Sequence, residues 1–242
     1  MNYIIVIPAR FKSSRLPGKP LIKILGKEML LRTYEQCLKV EKRENILVAT
    51  EDESIEKFCI NNNIQVLLTS HDCKTGTDRV AEVAQQIKKQ YYINVQGDEP
   101  VFNPEDLQLL IRNVSTFPGS IINGYTQIID EADFHSPNVP KVVFNSNNDL
   151  LYMSRSAIPG NKNHKFSLGF RQVCLYAFPR DLLIENFSPN QDHKETLESI
   201  EDIEILRFIE RGYKVKMIKM SNHSIPVDTS EDILKVEAFL KK

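Results

Sequence analysis

No stretch of the 242 residues stays apolar for the ~20 positions that a bilayer-spanning helix needs. An excess of either charge sign is missing too: 31 Lys and Arg face 32 Asp and Glu, a formal net charge of −1. A general nucleic-acid binder carries a strong basic surplus, so neither nucleic acid nor membrane is expected as a partner. Any site for an anionic ligand must then be built from a few placed basic residues. Cysteine is sparse. Cys37, Cys59, Cys73 and Cys174 stand far apart with no CxxC pair, which argues against structural zinc. They read as reduced thiols, small buried core residues of a cytoplasmic enzyme. The opening MNYIIVIPAR lacks the charged start and long apolar region of a signal peptide and reads as a buried strand. Neither the GxxxxGK[ST] phosphate loop nor the dinucleotide GxGxxG occurs.

What is present is an alternation of periods. Tyr3 to Ile7 is a β-branched apolar run that stops at Pro8, as a strand buried on both faces would. Glu28 to Val40 places Met29, Leu30, Tyr34, Cys37 and Leu38 near one helical face. Ile46 to Ala49, Ile64 to Leu68 and Tyr92 to Val95 read as further strands, with helices over Asp52 to Ile60 and Thr77 to Lys89 between them. This β-α-β-α-β-α-β order predicts an α/β fold, a mostly parallel central sheet with helices on both faces. Pro104 to Val114 adds a helix. The stretch 117–170, rich in Pro, Asn and Ser and holding the β-prone Lys141 to Phe144, reads as a small antiparallel insertion in a single domain spanning 1–242. Arg171 to Ala177 returns to strand, and helices are expected from Asp181, Ile200 and Ser230.

Four segments carry chemistry. The first strand empties into IPARFKSSRLPGKPL, where Arg10, Lys12, Arg15 and Lys19 put four cations into ten residues and Pro17-Gly18 supplies a tight turn. Ligands of open parallel sheets bind where strands end in their loops, and a triphosphate needs its charge neutralised from several sides. In NVQGDEP an apolar strand ends on Gln96, Gly97 and Asp98. A carboxylate there suits a hard cation such as Mg²⁺, and Gly97 would let a ligand approach the backbone. Glu99 is either a second acid or a solvated side chain. In IPVDTSEDI, Asp228 follows an apolar triplet and precedes a helix start at Thr229 or Ser230, so it is either a ligand or a helix cap. In KTGTDR, the turn at Thr75, Gly76 and Thr77 could read the edge of a base, and a capped helix explains it equally well. The histidines at 71, 135, 164, 193 and 223 lie outside these motifs and read as surface or structural residues.

With VATEDE, KVVF and LYMSRSAIP between them, these segments run in order over nearly the whole chain, which resembles the 3-deoxy-manno-octulosonate cytidylyltransferases. The resemblance implies a nucleotide-diphospho-sugar transferase-like, Rossmann-like fold and a homodimer. It implies transfer of CMP from CTP to the anomeric hydroxyl of an acidic 3-deoxy sugar, with pyrophosphate leaving, for lipopolysaccharide or capsule synthesis. It implies that Ala9, Arg10, Arg15 and Lys19 hold CTP, that Thr75, Gly76, Thr77 and Gln96 recognise the cytosine, and that Arg155, Gln172, Tyr176 and Glu204 face the sugar. It also implies that Mg²⁺ serves as cofactor, one ion on the triphosphate and another on Asp98 and Asp228, with Arg10, Lys19, Asp98 and Asp228 forming the catalytic set.

The chain departs from that family on the sugar side. The family strand HxGxYxY appears as Gln172 to Phe178, with Gln172 for the histidine and Tyr176 retained. In ESIEDIEILR, Glu204 is retained and Ile205 stands for a glutamine. These changes raise the expectation of a modified acceptor, such as an amino-substituted octulosonate or a neuraminate-like acid. A non-catalytic nucleotide-binding regulator is the alternative from another class.

Overall fold

The computed structural model describes residues 2–12, 16–163, 165–187 and 196–241. In chain order the elements are β1 (Tyr3–Pro8), β2 (Lys23–Ile24), β3 (Lys27–Glu28), α1 (Met29–Leu38), β4 (Ile46–Thr50), α2 (Glu53–Asn61) and β5 (Val66–Leu68). Then come α3 (Gly76–Gln86), β6 (Tyr91–Val95), α4 (Pro104–Thr116), β7 (Ile121–Gln127), α5 (Glu131–His135), β8 (Lys141–Phe144) and β9 (Leu150–Ser154). The chain continues through β10 (Phe170–Pro179), α6 (Arg180–Asn186), α7 (Thr196–Glu201), α8 (Leu206–Glu210), β11 (Val215–Lys219) and α9 (Ser230–Leu240). Among the described residues, no helix is long and apolar enough to cross a membrane.

The main sheet runs in the order β11-β7-β10-β6-β1-β4-β5. Strand β1 pairs in parallel with β4 and β6, β4 with β5, and β11 with β7, while β10 is antiparallel to both β6 and β7. The side-chain period of two sends alternate residues to opposite faces. Ile4 and Val6 of β1 join Leu47, Ala49 and Tyr92 beneath α3, α6 and α8. Ile5 and Ile7 join Ile46, Val48, Ile93 and Val95 beneath α1, α2 and α4. Burying each such large side chain contributes roughly 1.5–3 kcal/mol. Two covered faces leave only the sheet's edges for function, and every parallel strand ends at the same edge.

The insertion is smaller than 117–170. Its first part, β7, is an interior strand of the main sheet, and only the β8–β9 hairpin branches away, pairing with β10 through Lys141 and Arg171. Asn123-Gly124, a pair that favours turns, lies in mid-strand. A β-bulge between Val173 and Tyr176 of β10 leaves carbonyls that the Asn123 side chain satisfies, donating to Val173 and Leu175 at 3.0 Å each. At Gly124 the end of the Met220 side chain lies where a Cβ would be, so a larger residue there would displace the methionine. The helix expected from Ile200 is divided. Helix α7 ends at Glu201, Asp202 turns the chain at φ 51°, and α8 begins at Leu206.

Candidate active site

Strands β1 and β6 end side by side, and their exits touch backbone to backbone. A Cβ on Gly97 would lie 2.8 Å from the Pro8 carbonyl oxygen, so the close approach that Gly97 permits is that of the protein's own chain. Gly18, at φ +67°, returns the loop after β1, its N–H donating to the Phe11 carbonyl at 3.1 Å. That turn delivers Lys19 to the mouth of β6. Because β10 runs against β6, its first half lies at the same edge, with Leu175 opposite Val95 and Tyr176 opposite Asn94. The segment after β11 crosses here too and brings Asp228.

Twelve of the expected site residues line one cleft of about 760 Å³: Ala9, Arg10, Lys19, Thr75, Gly76, Gln96, Asp98, Arg155, Gln172, Tyr176, Glu204 and Asp228. Arg15 lies outside the described residues, as do His164 and His193. Thr77 is a correction. It does not line the cleft: it is 1% exposed, and its hydroxyl and N–H both donate to Glu204.

Lys19 sits at the centre. Its Nζ lies 2.7 Å from Asp98 Oδ2 and 3.2 Å from Asp228 Oδ1, and it donates to the Val227 carbonyl at 2.9 Å. Burial works against its charge, but the two carboxylates outweigh burial and hold its pKa above the ordinary lysine value. Asp228 is not the cap of α9. Thr229 fills that position in a capping box with Asp232. Among the described residues, no group of three or more His, Cys, Asp or Glu is placed to hold a metal ion. Two carboxylates alone fit Mg²⁺, which takes one or two such ligands and completes its shell with water and substrate phosphate.

At the start of α3, Thr75 caps the helix in a capping box with Asp78, so the capped-helix reading holds. The same turn is pressed against Gln96, whose Oε1 lies 2.8 Å from where a Cβ on Gly76 would be. Glu204 reaches this turn from α8's approach and accepts from the Gly76 and Thr77 N–H groups at 3.1 and 2.8 Å. An anion at a helix N-terminus is favoured by the orphan amides and the helix dipole. Burial nonetheless raises the Glu204 pKa, against the bonds from Thr77.

On the opposite wall, much of Arg155 is held by backbone, through the carbonyls of Glu201 at 2.5 Å, Asp202 at 2.8 Å and Pro137 at 2.9 Å. Gln172 donates to Asn123 Oδ1 at 3.0 Å. Burial pushes the Tyr176 hydroxyl and the Cys174 thiol well above their ordinary values. Cys37 and Cys59 are core residues as expected, whereas Cys174 lines the cleft.

Further residues take part in the cleft, and one open alternative closes. Glu99 is 2% exposed rather than solvated, and it accepts from the Ser224 hydroxyl. Burial pushes its carboxyl up to about 7; Ser224 opposes the shift and Asp98 adds to it. Arg171 donates to Asn222 Oδ1 at 2.9 Å and the Ser224 carbonyl at 3.2 Å, fixing the strap that carries Asp228. Ile205, expected to face the sugar, is instead 1% exposed within the core under α8.

A basic loop, a carboxylate pair and an acid-lined wall meet at the carboxyl edge of this sheet. Residues 4–235 match the family described as Cytidylyltransferase, which makes the protein a nucleotidyltransferase. The chain belongs to the 3-deoxy-manno-octulosonate cytidylyltransferase family. It is 39% identical over 98% of its length to the 3-deoxy-manno-octulosonate cytidylyltransferase of Protochlamydia amoebophila, covering 93% of that protein. An 8-amino-3,8-dideoxy-manno-octulosonate cytidylyltransferase of Shewanella sp. is 37% identical, with 99% of each chain covered. Among solved structures, a CMP:2-keto-3-deoxy-manno-octonic acid synthetase complexed with CTP superposes with a TM-score of 0.89 at 35% identity, covering 100% of this chain and 99% of that one.

Proposed function

We propose that the protein transfers CMP from CTP to the anomeric hydroxyl of 3-deoxy-manno-octulosonate and releases pyrophosphate. The observation that carries the reading is the meeting of Lys19, Asp98 and Asp228 in the cleft that also holds Gln96 and Gly76. Such a transfer needs alignment and charge neutralisation more than covalent help from the protein. Arg10 and Lys19 neutralise and orient the phosphates, with Ala9 beside them, and the family resemblance assigns Arg15 to the same task. Thr75, Gly76 and Gln96 take the cytosine. Gln172, Tyr176, Glu204 and Arg155 shape the side that receives the sugar acid. Asp98 and Asp228 would hold Mg²⁺, which when bound neutralises phosphate charge and lowers the pKa of the attacking hydroxyl. A cytoplasmic homodimer supplying a lipopolysaccharide or capsule pathway completes the proposal. A panel of 3-deoxy sugar acids, incubated with CTP and Mg²⁺ and scored for CMP-sugar and pyrophosphate, tests it; no CMP-sugar from any acid overturns it.

A second reading, an 8-amino acceptor, is favoured by one observation. Gln172 and Cys174 replace the His and Gly of the family strand, and both line the cleft. The measurement is kcat/KM for the plain sugar against its 8-amino analogue. A tenfold preference for the plain sugar, about 1.4 kcal/mol at the transition state, rejects the second reading. The reverse preference, relaxed by Gln172→His with Cys174→Gly, supports it.

A further inference from the structure

Glu51 follows β4 within the segment VATEDE, and its side chain is 9% exposed. Its Oε2 lies 2.7 Å from Nη2 of Arg79, whose side chain is 4% exposed. This contact is one of charge, since Oε2 has no directed hydrogen bond. Its Oε1 accepts from the backbone N–H of Phe11 at 3.3 Å. Arg79 also donates to the Thr69 hydroxyl and lines the cleft. Phe11 is the residue after Arg10, in the phosphate loop. Arg79 stands in the first turn of α3, whose start packs on Gln96. One buried carboxylate thus touches the backing of both nucleotide segments, which lie more than sixty residues apart in the chain.

A buried ion pair is a poor way to gain stability, because apolar side chains of similar volume serve as well or better once the cost of removing two charges from water is counted. What such a pair adds is direction. We propose that Glu51 is a positioning residue for the nucleotide: through Phe11 and Arg79 it sets the spacing between the phosphate loop and the turn that takes the base, without touching the ligand. The inference rests on the assignment of these two segments to CTP.

The test compares wild type, Glu51→Gln and Glu51→Asp. Calorimetry gives CTP affinity without sugar, and steady-state kinetics give KM for each substrate. Glu51→Gln keeps an acceptor for Phe11 and loses the charge. Its CTP affinity is expected to fall about tenfold, less than the roughly hundredfold that a full 1 Å misplacement can cost. Its KM for the sugar acid should stay unchanged, and Glu51→Asp should recover most of the loss. Unchanged CTP affinity in Glu51→Gln overturns the proposal. So does a parallel rise of both KM values tracking a fall in melting temperature, the mark of general loosening. If Glu51→Gln fails to fold, Glu51→Leu with Arg79→Leu removes both charges together. The same CTP-selective loss in that variant supports the proposal, and wild-type CTP affinity overturns it. Wild-type protein that binds no CTP at all would remove the nucleotide assignment and the inference with it.

Discussion

The backbone N–H of Val227 donates to the carbonyl oxygen of Asp98 at 2.9 Å. That bond, with Val227 fully buried, fixes where the next residue lies and so sets Asp228 against Asp98. The strap around it is held by Ser221 on Asp106 and by Ser224 on Glu99. The carboxylate pair is therefore preorganised by neighbours that do not themselves bear the acid groups.

From this follows the behaviour of the pair. Asp98→Asn or Asp228→Asn removes one anionic oxygen from the proposed Mg²⁺ site while leaving the backbone bond intact. Turnover should be abolished and the circular dichroism spectrum unchanged. Near-normal activity at saturating Mg²⁺ in either variant would remove both residues from the mechanism.

Lys19→Ala takes away an ammonium that both carboxylates share and that the phosphates would meet. A charge-assisted contact contributes roughly 1.5–3 kcal/mol, so CTP affinity or kcat/KM should fall about tenfold to a hundredfold. Calorimetry and initial rates together check this. Unchanged values in both would assign Lys19 a purely structural place.

Ile205 lies in the core, so Ile205→Gln should not restore a sugar contact. It should bury an amide without partners, at a cost of about 1–3 kcal/mol of stability. Denaturant unfolding should show that loss, and the ratio of kcat/KM for the plain and 8-amino acceptors should stay at its wild-type value. A shifted ratio in this variant would place the residue back in the cleft.

Lys141 is wholly buried and donates to the carbonyls of Ser136 at 2.7 Å and Arg155 at 2.5 Å. Burial first, then Arg155, pushes its pKa down to about 8. Below that pH both folded and unfolded chains carry the proton, and the charge burdens the native state. Between about 8 and the ordinary lysine value the native state releases its proton first, so stability from this group rises with pH. Relative to Lys141→Met, the wild type should gain on the order of 1–2 kcal/mol between pH 7 and 9.5. A difference that stays flat across the window would show that Lys141 keeps its proton.

Local pattern carried much of this molecule in the sequence. The apolar run at Tyr3–Pro8, the helix at Glu53–Asn61 and the strand at Tyr91–Val95 fall within a residue of where period and turn residues put them. The motifs also found the cleft, because loops at strand ends concentrate charge where the sheet has no cover. Long-range pairing was not readable. Nothing local tells that β10 enters antiparallel between β6 and β7, nor that Asn123-Gly124 serves a bulge and a methionine instead of a turn. Strand β11 carried a usable signal of period two, since Val215 and Met217 are buried and alternate with the half-buried Lys216 and Ile218. The burial of Thr77 and Glu99 was not legible for another reason: their partners, Glu204 and Ser224, are more than a hundred residues away.

The same remoteness has a temporal side. During synthesis the sheet edge, the basic loop and Asp98 are made long before Asp228. The two-acid site comes into being only when the strap crosses from β11 to α9. A chain that stops short of that crossing lacks Asp228 and with it the Lys19–Asp228 ion pair, so the cleft's two-acid arrangement depends on the final sixth of the sequence.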